Sequence, residues 1–242
     1  MKEEPHRITH RRILLKLSGE HIGTEGASFD KDALDYIVEQ IIAAKDLGAK
    51  IGIVVGAGNI IRGRDAGWLD KIDADTCGMV GTVINGIVLH SLLKGKRQRV
   101  RLSSALTMVG IADDFSRSSD CEFYESGGIV IFIGGTGNPL FTTDTAAALR
   151  AVQLRADVLI KGTNVAGVYS SDPKKNKRAT LYRKLTYDEV IGKQLKVMDL
   201  AAFNICREAA VPIIVYDFKR HGLPEIITGK MVGTLISGGR ND

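Results

Sequence analysis

The chain has 242 residues, of which 44% are hydrophobic and 25% charged, and its 33 basic and 28 acidic side chains leave a formal charge of +5. A globular chain of this size buries roughly 70% of its unfolded surface, and this composition excludes a disordered tract or a fibre. A pI near 9.1 suits anionic small substrates as readily as nucleic acid. Three cysteines, Cys77, Cys121 and Cys206, lack any Cys-x-x-Cys spacing and cannot all pair within the chain, so a reducing, cytoplasmic setting is expected. The charged start MKEEPHRITHRR is followed by an apolar run that Lys16 cuts short, too brief for a leader or a membrane span.

RILLKL (Arg12 to Leu17) reads as a buried strand, with KLSGE turning out of it. Leu34, Ile37, Val38, Ile41 and Ile42 then share one helix face, with Asp30 placed to cap the start and Gly48 to end it. IGIVV (Ile51 to Val55) is the second strand, GAGN at Gly56 its turn, and Thr76 to Leu93 the next helix. Beyond the basic run Lys94, Lys96, Arg97, Arg99 and Arg101 lie the strand IVIFI (Ile129 to Ile133), the loop GTGNPLFTTD from Gly135, and a helix from Asp144 to Arg155. DVLIK (Asp157 to Lys161) is a fourth strand and the polar stretch from Ser170 to Thr180 an exposed loop. DLAAFNICREAA (Asp199 to Ala210) reads as a helix and PIIVY (Pro212 to Tyr216) as a fifth strand. Strands alternating with helices predict an α/β fold with a mainly parallel open sheet covered by helices. No repeat or low-complexity linker interrupts the order, so 1–242 is read as a single domain.

Glycines gather where strands end, which is where such sheets place ligands. The Gly-x-x-x-x-Gly-Lys-Ser/Thr phosphate loop is absent, and GAGNII has Ile61 where a dinucleotide fingerprint needs its third glycine. Three glycine-rich loops, KLSGE, GAGN and GTGNPLFTTD, can instead bring backbone N–H groups close to several phosphates. A nucleoside triphosphate with a monophosphate acceptor needs cations nearby, and Lys16, Arg62 and nucleotide-borne Mg²⁺ are the candidates.

RILLKLSGE, GTEG at Gly23, GNIIRG at Gly58, GTGNPLFTTDTAA, the Val168–Pro173 run, LTYDEV at Leu185 and KVMDLAAF at Lys196 resemble, in order and over essentially the full length, the amino acid kinase superfamily and within it the bacterial uridylate kinases. The resemblance implies a three-layer α/β/α sandwich and transfer of the γ-phosphoryl group of ATP to UMP, with Mg²⁺ carried by ATP. It further implies a homo-oligomer of hexameric form and a GTP activator at the basic run, where only Arg101 aligns. It assigns catalytic positions to Lys16, Asp144 and Asp199, with Asp144 holding the lysine in place and not acting as a base. ATP contacts fall on Lys16, Leu17, Ser18, Gly19, Gly58, Arg62, Thr163, Tyr169 and Asp172. UMP contacts fall on Ala57, on Asp75 for the ribose, and on Thr136, Gly137, Asn138, Pro139, Leu140, Phe141, Thr142 and Thr143.

Each position also has an ordinary structural reading. A lysine ending a buried strand is costly unless it meets anions, whereas Asp144 and Asp199 at helix starts could serve as N-caps, and Asp75, Thr163, Tyr169 and Asp172 as surface or loop residues. Ala57 stands where the family commonly has glycine, and Asn164 and Ala166 also depart from the family pattern, which bears on donor preference. Competing functions are a sibling kinase phosphorylating a carboxylate, a silent nucleotide-binding or storage protein of the same fold, and a nucleic-acid-binding module. The last is disfavoured because no aromatics interleave the basic run.

Overall fold

The computed structural model describes residues 8–24, 26–61 and 67–238. Its strands are β1 (Arg12–Leu17), β2 (Lys50–Val55), β3 (Val100–Ser104), β4 (Asp113–Asp114), β5 (Ile129–Ile133), β6 (Val158–Thr163), β7 (Lys184–Leu185), β8 (Ile213–Asp217) and β9 (Thr234–Ile236). The helices are α1 (Lys31–Asp46), α2 (Lys71–Gly95), α3 (Arg117–Glu125), α4 (Thr143–Gln153), α5 (Tyr187–Gly192), α6 (Leu200–Glu208) and α7 (Leu223–Ile227). All the strands share one sheet in the order β4-β3-β5-β2-β1-β6-β8-β9-β7, parallel throughout except between β8 and β9.

Side chains alternate across the sheet and both faces are covered, which is why the central strands are apolar without interruption. On one face Ile13, Leu15 and Leu17 of β1 meet Leu34, Ile37 and Ile41 of α1, Val83 and Leu89 of α2 and Leu223 of α7. On the other, Leu14 of β1 packs with Tyr124 of α3, Ala147 and Ala151 of α4, Tyr187 of α5 and Phe203 of α6. This is the expected three-layer α/β/α arrangement.

The five anticipated strands form within a residue or two of their expected ends. β3 went unpredicted because Arg101, Ser103 and Ser104 break its apolar pattern; the buried Ser103 hydroxyl is satisfied by donating to Asp120 Oδ2 at 2.7 Å. β4 and β7 have two residues each, too short for any periodicity. α2 starts well before Thr76, because Asp70 caps it by accepting from the Ile72 N–H at 2.8 Å. By length and composition alone α2 could cross a membrane, yet Val83, Leu89 and Leu93 bury one of its faces in the protein core.

From β1 the chain moves first to β2 on one side and later returns to β6 on the other. That reversal opens a crevice beyond the carboxyl end of β1, the usual ligand position in open α/β sheets. Lys16, the penultimate residue of β1, lies there.

Candidate active site

The parallel register of β1 and β6 sets Lys16 directly beside Lys161 on one face of the sheet. Both are buried, at 7% and 8% exposure, and two neighbouring ammonium groups in such a place repel unless an anion joins them. Asp144, in the first turn of α4, is that anion. Its Oδ1 lies 2.8 Å from Lys16 Nζ and its Oδ2 2.6 Å from Lys161 Nζ. Lys161 also donates to the Val197 carbonyl.

Burial is the largest influence on Asp144 and raises its pKa, but the two lysines together outweigh it and hold the carboxyl at about 2. Burial and then Lys16 push Lys161 down, against the pull of Asp144, to about 8. An acid this strong makes a poor proton acceptor, so Asp144 is suited to organising the cations. With both lysines protonated, two positive charges and one negative leave the cluster with a net positive charge facing the crevice.

Asp144 does not cap α4. Thr142 is the N-cap, its hydroxyl accepting from the Asp144 N–H at 3.0 Å, and this frees the carboxylate for the lysines. Asp199 does cap α6, accepting from the Ala202 N–H at 2.7 Å, and it also accepts from the hydroxyls of Thr145, at 2.9 Å, and Thr142. Capping and proximity to the cluster coexist in this residue, because its carboxylate ties the start of α6 to the start of α4.

The first two glycine-rich loops touch. Ser18 caps a short 3-10 turn over Gly19–His21, and a Cβ on Gly19 would come 2.5 Å from the Gly58 nitrogen, so no other residue fits. Leu17 is fully buried beneath this turn. Arg62, the other cation expected of the second loop, lies outside the described residues.

Beside the cluster is a hollow of about 210 Å³, lined on one side by Ala57 and Gly58, on another by Asp75 and Thr82 of α2, and closed by Leu140, Phe141, Thr142 and Thr143. Thr136, Gly137, Asn138 and Pro139 were expected around the acceptor with the rest of their loop, but they do not line the hollow. They form the adjoining turn, where the Thr136 hydroxyl accepts from the Asn138 N–H at 3.2 Å. Asp75 pairs with Lys71, Oδ2 to Nζ 2.6 Å, and accepts from the Leu140 N–H at 2.9 Å. The bond from Lys71 is the main cause that holds its carboxyl below the usual range. The Asp75 carboxylate also pins Leu140, whose φ of 70° is uncommon for a side chain of this size.

Around the far end of β6, the Thr163 hydroxyl donates to Val165 O at 2.7 Å, with Tyr216 O at 3.1 Å as its alternative acceptor, which anchors the turn out of the strand. Tyr169 bridges to Leu181 at the base of the exposed 170–180 loop, and Asp172 caps a turn by accepting from the Lys174 N–H at 2.9 Å. Asn164, one of the departures from the family pattern, donates to Glu20 Oε2 at 3.4 Å and so links this side to the first loop. Two arginines of the basic run have partners within the fold. Arg101 lies near Asp113 and Asp120, at 3.4 and 3.5 Å, and Arg99 donates to Ser126 O at 3.1 Å.

The sequence reading missed Lys161 and Thr145. A signal for the lysine was present, since RILLKLS and VLIKGT each run from apolar residues into lysine and, two residues on, a hydroxyl side chain. Among the described residues no three His, Cys, Asp or Glu side chains gather in a way that could hold a metal ion, and both Asp144 oxygens are taken by lysines.

Paired lysines joined by one carboxylate, at the mouth of a mainly parallel sheet between glycine-rich loops, define a phosphate-handling α/β protein. Residues 11–217 match the amino acid kinase family, and the chain belongs to it. Within that family it is similar to uridylate kinases: it is 44% identical over 233 residues to the one from Idiomarina loihiensis, covering 95% of each chain, and 43% identical over 233 residues to that of Colwellia psychrerythraea, covering 94% of each. Among solved structures it resembles the UMP kinase of Bacillus anthracis, with a TM-score of 0.91 and 37% identity over 94% of this chain and 96% of that one. The UMP kinase of Ureaplasma parvum is likewise similar, at 0.88 and 31%, over 94% and 99%.

Proposed function

We propose that this protein is an ATP:UMP phosphotransferase that moves the γ-phosphoryl group of ATP to the phosphate of UMP, giving ADP and UDP for pyrimidine nucleotide synthesis. The observation that carries the reading is the Lys16–Asp144–Lys161 cluster beside the hollow walled by Asp75 and Thr143; the uridylate kinase relatives supply the substrate. In a loose phosphoryl transition state, charge spreads over the transferring oxygens, and fixed ammonium groups stabilise it best where water is excluded. Lys16 and Lys161 hold those charges, Asp144 keeps them apart and aimed, and Asp199 fixes the start of α4 through Thr142 and Thr145. The acceptor is already an anion, so no group need remove its proton. Backbone amides at Leu17, Ser18, Gly19 and Gly58, with Arg62, would cradle the donor phosphates; Thr163, Tyr169 and Asp172 would hold the adenosine. Mg²⁺ bound to ATP supplies charge neutralisation of the phosphates.

Asp75, with Ala57 and the residues from Thr136 to Thr143, would receive UMP. Changing Asp75 to asparagine keeps an oxygen for the Leu140 N–H but removes the charge and the pairing with Lys71. The UMP requirement is expected to rise about tenfold and the ATP requirement to change less than about threefold. Steady-state kinetics with each substrate varied reads this directly, and equal shifts for both substrates would remove Asp75 from the acceptor site.

The same reading includes a cytoplasmic homo-oligomer of hexameric form, with GTP as activator near Arg101. The subunit contact alone has physical support, in an exposed apolar stripe on α2 where Val80, Ile84 and Ile87 are 43%, 42% and 40% exposed at helical spacing. An Ile84→Asp substitution should lower the mass observed by sedimentation, and an unchanged mass would place the subunit contact elsewhere.

A further inference from the structure

α2 carries two buried polar residues almost one turn apart, Thr82 and Asn85, and neither faces solvent. Asn85 Nδ2 donates to Gly56 O at 2.7 Å and to Asn59 Oδ1 at 2.7 Å, and Asn59 Nδ2 donates back to Asn85 Oδ1 at 3.0 Å. The paired Asn59 in turn donates to Ser28 O at 2.6 Å and packs against Gly19, where any side chain would strike it. Thr82 Oγ1 accepts from the Gly134 N–H at 2.8 Å while donating to Met79 O at 2.6 Å. A single turn of α2 therefore grips all three glycine-rich loops: the third through Thr82, the second through Asn85, and the first by way of Asn59.

Two glycines make this grip possible. A Cβ on Gly81 would come 2.8 Å from the Ala57 Cβ, and one on Gly86 would overlap Ile133 at the end of β5. Glycine inside a helix costs about 1 kcal/mol relative to alanine. Here it lets the helix axis close on the strand ends, which brings the Thr82 and Asn85 side chains within hydrogen-bonding distance of the loop backbone. Asn85 does not line the acceptor hollow, whereas Thr82 forms part of its wall. An amide that is fully buried, spends its bonds on loop atoms and lies off the hollow acts on the reaction through geometry.

We propose that Asn85, assisted by Thr82, is a positioning residue that fixes the spacing between the donor loops at Lys16–Gly19 and Gly56–Asn59 and the acceptor loop beginning at Gly134. The proposal rests on the phosphoryl-transfer reading, because it is the in-line approach of the two substrates that this spacing would set. Displacing reacting groups by about 1 Å costs on the order of 100-fold in rate without abolishing the binding of either partner.

The test compares Asn85→Leu and Asn85→Asp with Thr82→Val and Thr82→Ser. In each, kcat is measured beside the dissociation constants of ATP and of UMP bound singly. Both Asn85 variants are expected to lose about 10- to 100-fold in kcat while each single-substrate constant moves less than about threefold. Thr82→Val should lose about tenfold, and Thr82→Ser, which keeps the acceptor oxygen, should recover most of that loss. Folded Asn85 variants with kcat within about twofold of the parent would overturn the proposal, as would a loss explained wholly by failure to bind one substrate. Should both Asn85 variants fail to fold, the Thr82 pair decides: a Thr82→Val enzyme as fast as the parent overturns it. A parent chain inactive toward UMP would instead refute the phosphotransferase reading.

Discussion

Replacing Lys16 with alanine is expected to lower kcat by about two to four powers of ten while leaving the circular dichroism spectrum unchanged. The side chain stands one residue before the end of β1, and at 7% exposure its ammonium is committed to the ion-pair cluster with Asp144. Its loss leaves Asp144 paired with Lys161 at 2.6 Å, so no buried carboxylate is stranded and the fold keeps its central ion pair. What disappears is one of the two ammonium groups that the proposed mechanism directs at the transferring phosphoryl. The effect should therefore fall mainly on kcat, with a smaller weakening of ATP binding. A Lys16→Ala enzyme within about fivefold of the parent would take this lysine out of the mechanism.

Asp144→Asn should be nearly as damaging to turnover, by about two to three powers of ten, but with the opposite effect on the donor. Two buried lysines would then face each other with no anion between them, and removing one partner from such a group typically costs about 3 to 5 kcal/mol. The variant is expected to melt earlier than the parent and to regain most of the difference when ATP supplies the missing negative charge, so its nucleotide-induced rise in Tm should exceed that of the parent. A neutral replacement that leaves both Tm and kcat unchanged would contradict the organising role. The same cluster sets an alkaline limit. Lys161, lowered to about 8 mainly by burial, is protonated below that pH and neutral above it, so kcat/KM for ATP should decline above pH 8. Bound phosphates favour the ammonium form, which moves the corresponding limb of kcat to higher pH.

The central strands could be read because burial on both faces forces an unbroken apolar pattern: RILLKL and IVIFI coincide with β1 and β5 residue for residue. The outer strands could not be read, since β3 carries serines and an arginine, and β7 and β9 are two and three residues long. Lys16 and Asp144 could be named because each lies in a glycine-rich segment with a distinctive order. Lys161 was hidden inside an ordinary strand, and its partnership with Lys16 exists only through the β1–β6 register, to which residues more than a hundred positions apart contribute. The grip of Thr82 and Asn85 on the loops was hidden for the same reason, since a buried amide in an apolar helix reveals its role only through the backbone it touches. The ends of the acceptor loop also separated in a way no linear motif shows, with Leu140 to Thr143 lining the hollow and Thr136 to Pro139 beside it.

Release of ADP from Mg²⁺-ATP by the full-length chain, with UMP, CMP, dCMP, glutamate and acetylglutamate offered singly as acceptors, tests the phosphotransferase assignment. Turnover with UMP at least about a hundredfold above the others, lost in the Lys16→Ala chain, is the predicted result. Turnover with glutamate or acetylglutamate in place of UMP would keep the fold and the lysine cluster but contradict the acceptor assignment; ATP binding without turnover on any acceptor would contradict the phosphotransferase itself.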